Sequence, residues 1–230
     1  MDNDLTVEHV KALQSRLRYV FKNPGLLKKA LTHSSFGQEK KCPDNERLEF
    51  IGDSFLEAVV SEYLFQDYPE FDEGELSRLR GNAVSSKNLK QMAEKIKLGR
   101  FLFLGKGEEK RGGRLAESNL VGAFEALFGA MFLDSNYYKA KKVFLSLFKG
   151  AIKSASSIQN YKGLLQEACD RDVLPRPMYK TEEIKNDNKT HRFYTEVIIQ
   201  AKVFGSGDGK TKQEAEVSAA KTAFKKLKRK

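Results

Sequence analysis

Cysteine is nearly absent: Cys42 and Cys169 stand far apart, with no metal-ligand spacing around either. That argues against a thiolate metal site and a disulfide-built fold, and both are read as reduced thiols. No apolar run approaches the roughly 20 residues that a membrane span requires. The opening Met1-Asp2-Asn3-Asp4 has neither the basic nor the apolar part of a secretory leader. The expectation from these absences is a cytoplasmic protein without a membrane partner. Also missing, from the first 150 positions, is any useful length of apolar–polar alternation, so strands are not expected there.

What the chain does have is positive charge. Its formal net charge is +10, on a composition of 40% apolar and 31% charged residues that suits a folded globular protein. From residue 160 onward 16 basic residues face 10 acidic ones, so +6 of the excess lies in the C-terminal third. A basic balance of this kind points to a polyanionic partner, nucleic acid first.

The patterning divides the chain in two. Up to residue 150 it reads as helix after helix: Leu56, Val59, Val60, Tyr63 and Leu64 recur at helical spacing, as do Leu120, Phe124, Leu127, Phe128 and Met131. The stretch GAIKSASSIQN (150–160) loses large apolar residues and gains serine, which suits a hinge or short linker. Beyond it, a helix is predicted over Tyr161–Cys169 and a strand over Met178–Ile184. A strand with alternating Phe193, Thr195, Val197 and Ile199 follows, then a shorter one over Lys202–Gly205 and a glycine-rich turn GSGDGK. Thr211-Lys212-Gln213-Glu214 opens the last helix with a capping-box pattern, and Ala215, Ala219, Ala223 and Leu227 share one face of it. The predicted fold is an all-α N-terminal domain followed by a small α+β domain of order α-β-β-β-α. The boundaries expected are 1–152, a linker 153–159, and 160–230.

Acids on apolar helices carry the chemistry. In NERLEFIGDS (45–54), Glu49 and Asp53 are four apart and share a helical face beside Leu48, Phe50 and Ile51. Two carboxylates held close without a cation repel, and one is driven to protonate. A hard divalent ion such as Mg²⁺ resolves this, binding through a few carboxylate oxygens, water and substrate phosphate. Glu125, a lone acid in NLVGAFEALFGAMFLD, would be a third ligand if its helix packs against the first. The same i, i+4 spacing also suits an ordinary solvated helix face.

Five motifs in order then carry a resemblance. NERLEFIGDS resembles the signature of the ribonuclease III family, ALTHSS (30–35) its upstream motif, and EGELSRLR (73–80) its following helix. GKGEEKRGGR (105–114) resembles its loop before the second acidic helix, and the C-terminal region resembles a double-stranded-RNA-binding domain. The match runs from about Val20 to Leu227. It implies a homodimeric, metal-dependent endonuclease that cuts double-stranded RNA, including ribosomal precursors, to 5′-phosphate and 3′-hydroxyl ends. Mg²⁺ is the implied cofactor, with Mn²⁺ as a substitute and no organic cofactor.

By the same resemblance Glu49, Asp53 and Glu125 are metal ligands, with Asp53 and Glu125 central to catalysis. Glu46 and Glu73 are supporting acids, and Phe50 is an aromatic of the dimer interface. Gln166 and Glu167 match minor-groove contacts to RNA. Lys210 and Lys212, at the start of the last helix, are placed to meet phosphate, where the helix dipole also favours an anion. In the loop NDNKTHRF the family's histidine position is Lys189, with His191 two residues later. The main departure is Gly122. The family has an aspartate there, three residues before the glutamate on the same face, so four expected carboxylates become three. The alternative this raises is a weakened or inactive protein that binds double-stranded RNA without cutting it.

Overall fold

The structure is a computed structural model and describes residues 7–69, 71–157, 160–185 and 191–228. By internal contacts the chain forms two compact units, one of Met1–Asp67 with Leu76–Lys153, the other of Tyr68–Glu75 with Ser154–Lys230.

In the first unit the helices are α1 (Val7–Leu17), α2 (Pro24–Ala30), α3 (Ser34–Lys40), α4 (Glu46–Asp67), α5 (Glu73–Ala83, whose first turn lies in the second unit), α6 (Ser86–Lys95), α7 (Lys106–Lys110), α8 (Glu117–Asp134) and α9 (Tyr137–Ser157, whose last turn lies in the second unit). Short 3₁₀ turns at Leu98–Phe101 and Gly113–Leu115 link them. The central helix is α8, apolar on nearly every side, as a helix enclosed by others must be. Leu120, Phe124, Leu127, Phe128 and Met131 are buried, with α2, α4 and α6 packed around them. Phe144 and Phe148 of α9 meet Phe124 and Phe128 edge to face at ring-centroid distances of 5.2–6.5 Å.

The crossing of α4 and α8 is unusually close, and two glycines permit it. A Cβ on Gly52 would overlap the backbone carbonyl of Glu125, and one on Gly129 would overlap that of Leu48. The helices therefore meet backbone to backbone, which holds residues on the facing turns in fixed relation.

The second unit contains α10 (Asn160–Arg171), an antiparallel sheet of order β1 (Met178–Lys185), β2 (His191–Ile199) and β3 (Lys202–Gly209), and α11 (Lys212–Lys228). Val197 and Ile199 face inward, and buried Thr195 hydrogen-bonds across to Thr181 at 2.9 Å. Ala215, Ala219, Ala223 and Leu227 are all buried, as their spacing predicts. The Tyr68–Glu75 segment adds Phe71 to this core, with its ring against Tyr161 and Phe224, and Lys228 pairs with buried Glu75 at 2.9 Å.

One local expectation is corrected. GSGDGK is not a turn, because β3 runs on through Gly209. Its alternate glycines, Gly205, Gly207 and Gly209, face α11, where a Cβ would overlap the backbone at Ala223, Ala219 and Ala215 respectively. Two strand residues advance roughly 6.7 Å and four helix residues about 6 Å, so small residues at these two periods keep step along the contact. The serine-rich stretch after Gly150 stays helical as far as Ser157, where α9 ends, and the division between the two units falls within it, between Lys153 and Ser154. Serine and alanine keep enough helix propensity to extend a helix already anchored by Phe148 and Ile152. Residues 158 and 159 lie outside the described residues.

Candidate active site and RNA-binding face

The start of α4 is built from three separated stretches of sequence. Thr32 forms a parallel bridge with Phe103, and its carbonyl accepts from the Asn45 N–H at 2.9 Å. The Asp44 carboxylate accepts from the Glu46 N–H at 3.2 Å, capping the helix. His33 plays a local part: its Nδ1 accepts from the Ser35 N–H at 3.2 Å. The Ser35 hydroxyl accepts from the Gly105 N–H at 2.9 Å, which ties ALTHSS to the glycine-rich loop.

From that anchored start Glu46, Glu49 and Asp53 rise along α4. Glu46 and Asp53 are exposed and Glu49 is half-buried. Glu125 is half-buried on α8, at the turn whose backbone meets Gly52. Burial raises the Glu49 pKa, and the charges of Glu46 and Asp53 add to it. Burial also lifts Glu125, with Asp53 and Glu49 adding repulsion, to about 7. The acids of the two helices therefore feel one another across the crossing. Among the described residues none of Glu49, Asp53 and Glu125 has a hydrogen bond or ion pair through its carboxylate. As the side chains stand, no three His, Cys, Asp or Glu residues among those described are gathered closely enough to hold an ion. The chemistry of the set still fits a divalent cation: hard oxygen donors, mutual repulsion and no cation of their own.

Gly122 is buried in α8, one turn before Glu125. The loop ahead of this helix is held by Asn119, whose buried amide donates to Glu108 at 2.7 Å and to the Gly113 carbonyl at 3.1 Å. Arg114 pairs with Glu109 at 2.7 Å and donates to the carbonyls of Gly99 and Leu102. Asn119 and the glycine pair Gly52/Gly129 were not singled out from sequence. An amide at the head of an apolar run, and glycines within two helices, were the available signals.

Phe50 points outward from α4 and is 76% exposed. It borders an open depression of about 610 Å³ lined also by Leu26, Ile51 and Leu133, the last itself 55% exposed. Glu73 opens α5 and is exposed, in the part of the chain that belongs to the second unit.

On α10 the Gln166 amide donates to Asp170 at 2.8 Å, while Glu167 is exposed. Lys210 and Lys212 are exposed at the head of α11. Thr211 Oγ accepts from the Glu214 N–H at 3.1 Å, and Glu214 reaches back to accept from the Lys210 N–H at 2.8 Å. The cap forms as its spacing predicts, closed one residue further back than the usual box. Lys189 and the His191 side chain lie outside the described residues.

Comparison with known proteins settles what family this architecture is. Residues 23–151 match the family model for ribonuclease-III-like domains. The chain belongs to the ribonuclease III family. Its second match, to the double-stranded RNA binding motif, spans residues 161–227. It is 43% identical over 222 residues to a ribonuclease 3 of Caldanaerobacter subterraneus subsp. tengcongensis, covering 94% of this chain and 96% of that one. A ribonuclease 3 of Natranaerobius thermophilus is 41% identical over 212 residues, 90% of this chain and 92% of the relative. Among solved structures, the nuclease domain of ribonuclease III from Campylobacter jejuni superposes with a TM-score of 0.59 at 41% identity, covering 62% of this chain and 97% of that one. With both ribonuclease III domains present, this member of the family has the make-up of a double-stranded-RNA endoribonuclease, and its family is metal-dependent. No helix among the described residues is long and apolar enough to cross a membrane.

Proposed function

We propose that the chain is a Mg²⁺-dependent endoribonuclease that processes double-stranded RNA, ribosomal precursors among its substrates, leaving 5′-phosphate and 3′-hydroxyl ends. The observation that carries this is the set of unpaired, mutually repelling acids across the α4–α8 crossing. Glu49, Asp53 and Glu125 would hold the ion, with Mn²⁺ able to replace Mg²⁺. When bound, the ion lowers the pKa of a coordinated water and neutralises the phosphate under attack. The chain's own part is geometric: the Gly52 contact fixes the turn bearing Asp53 against the turn bearing Glu125. Glu46 supports Glu49 from the preceding turn, and Glu73 has an orienting role.

Residues 1–152 form the nuclease domain in this reading, 153–159 the linker and 160–230 the RNA-binding domain. A-form duplex would be met by shape, through Gln166, Glu167, Lys189 and His191 at the grooves and Lys210 and Lys212 at phosphate. The exposed Phe50 and Leu133 suit burial by a second copy, and the related Campylobacter jejuni nuclease domain is described as having a region involved in dimer formation. The place of action is the cytoplasm.

Gly122 favours a second reading, a duplex-RNA-binding protein whose nuclease is disabled. Long duplex RNA with Mg²⁺, given to the parent, Gly122→Asp and Glu125→Ala, decides between them. Cleavage by the parent and its loss in Glu125→Ala support the enzyme. Cleavage by Gly122→Asp alone means a nuclease disabled at one position, and cleavage undiminished in Glu125→Ala overturns the site.

A further inference from the structure

The room left by the missing side chain at position 122 is filled. A Cβ there would stand 2.9 Å from Cδ of Glu49 and 3.3 Å from its Oε1, and Oε2 is nearer still. At Gly52 and Gly129 the same construction strikes backbone, which cannot retreat without parting the helices. At Gly122 it strikes the free end of a flexible side chain. Position 122 also lies on the same face of α8 as Glu125, three residues away. The Glu49 carboxylate therefore rests against α8 one turn before Glu125, at the point from which an aspartate at 122 would project.

We propose that Gly122 is a positioning residue: the space it leaves lets Glu49, one of the three remaining acids, fold onto α8 and take up the place that a carboxylate at position 122 would reach. The proposal rests on the assignment of Glu49, Asp53 and Glu125 to a metal site. Its content is that glycine at 122 and glutamate at 49 act as a matched pair. A methyl group at 122 turns Glu49 away from α8 at little steric cost, so the fold survives and the ligand moves. If Gly122 served only helix packing, alanine would leave metal binding alone.

The test is Mn²⁺ binding to the full-length protein, followed by the electron paramagnetic resonance signal of free Mn²⁺, with melting temperature recorded alongside. Gly122→Ala should weaken Mn²⁺ binding about tenfold, the scale seen when a group that orients a metal ligand is lost. It should not lower the melting temperature, because alanine is the better helix former. Glu49→Ala should weaken binding at least as much, and the double variant should bind as Glu49→Ala does. Unchanged or tighter binding by Gly122→Ala overturns the proposal, and so does a further tenfold loss in the double variant. Glu125→Gln separates the two levels of the argument. If it leaves Mn²⁺ affinity unchanged, the metal-site assignment fails; if it weakens binding while Gly122→Ala does not, only the pairing fails.

Discussion

The α4–α8 crossing and the β3–α11 contact use the same residue to opposite ends. Where β3 lies on α11, Gly205, Gly207 and Gly209 are each backed by helix backbone, so every absent side chain is taken up by main chain. At the α4–α8 crossing Gly52 and Gly129 do the same, but Gly122 is backed by the Glu49 carboxylate. A glycine facing backbone is a packing device, and its replacement is felt by the whole fold. A glycine facing a charged side chain leaves a place for that side chain, and its replacement is felt by the chemistry.

The sharpest way to break this comparison is Gly52→Ala. The α4 and α8 backbones must part, at a cost of about 3 kcal/mol, comparable to severe overpacking. Urea unfolding should show a midpoint well below that of Gly122→Ala; equal midpoints for the two would erase the distinction.

A smaller effect concerns Glu125. Its folded-state pKa is raised to about 7 from an ordinary 4.5, so the folded form holds the proton more tightly. That stabilisation is complete below pH 4.5 and is lost as pH rises to about 7. In chelator, Glu125→Gln should therefore gain about 1 kcal/mol over the parent at pH 8, solvent screening of a half-exposed group having been allowed for. At pH 4 the two should unfold alike. A gain independent of pH would mean that glutamine simply packs better.

The least effect belongs to the second unit's surface. Lys212→Ala should weaken duplex-RNA binding a few-fold and flatten the dependence on log salt concentration by about one unit. Lys225→Ala, toward the other end of α11, serves as the comparison. The same flattening in both would make the contact mere net charge.

These contrasts also show what the sequence makes legible. Glu125 announces itself because an acid among Leu120, Phe124, Leu127 and Phe128 has no cheap place to be. The face of α11 is legible from four residues at one spacing. The role of Gly205, Gly207 and Gly209 is not, because glycine signals a turn locally and the helix that needs its smoothness lies across the fold. Glu49 is legible as an acid on the right face, while its resting place over Gly122 depends on how closely Gly52 and Gly129 let two helices approach. The full length of α9 is illegible for a related reason: buried Phe148 and Ile152 carry it to Ser157 through a stretch whose composition alone suggests a hinge or linker.

The bridge between Thr32 and Phe103 has a consequence for the order of assembly. The head of α4 hangs from Thr32 through the Asn45 N–H, and Thr32 is itself fastened to chain that is synthesised much later. Closing so long a loop is entropically costly until packing rewards it, so contacts of this kind form late. Glu49 and Asp53 leave the ribosome early, on a helix whose start is tied only to Asp44 and to a Thr32 not yet fastened to Phe103. They acquire a fixed position only after residue 103 arrives and α8 has come to lie in the groove. A chain truncated ahead of Glu117 would carry the most recognisable motif in the sequence and still have no site.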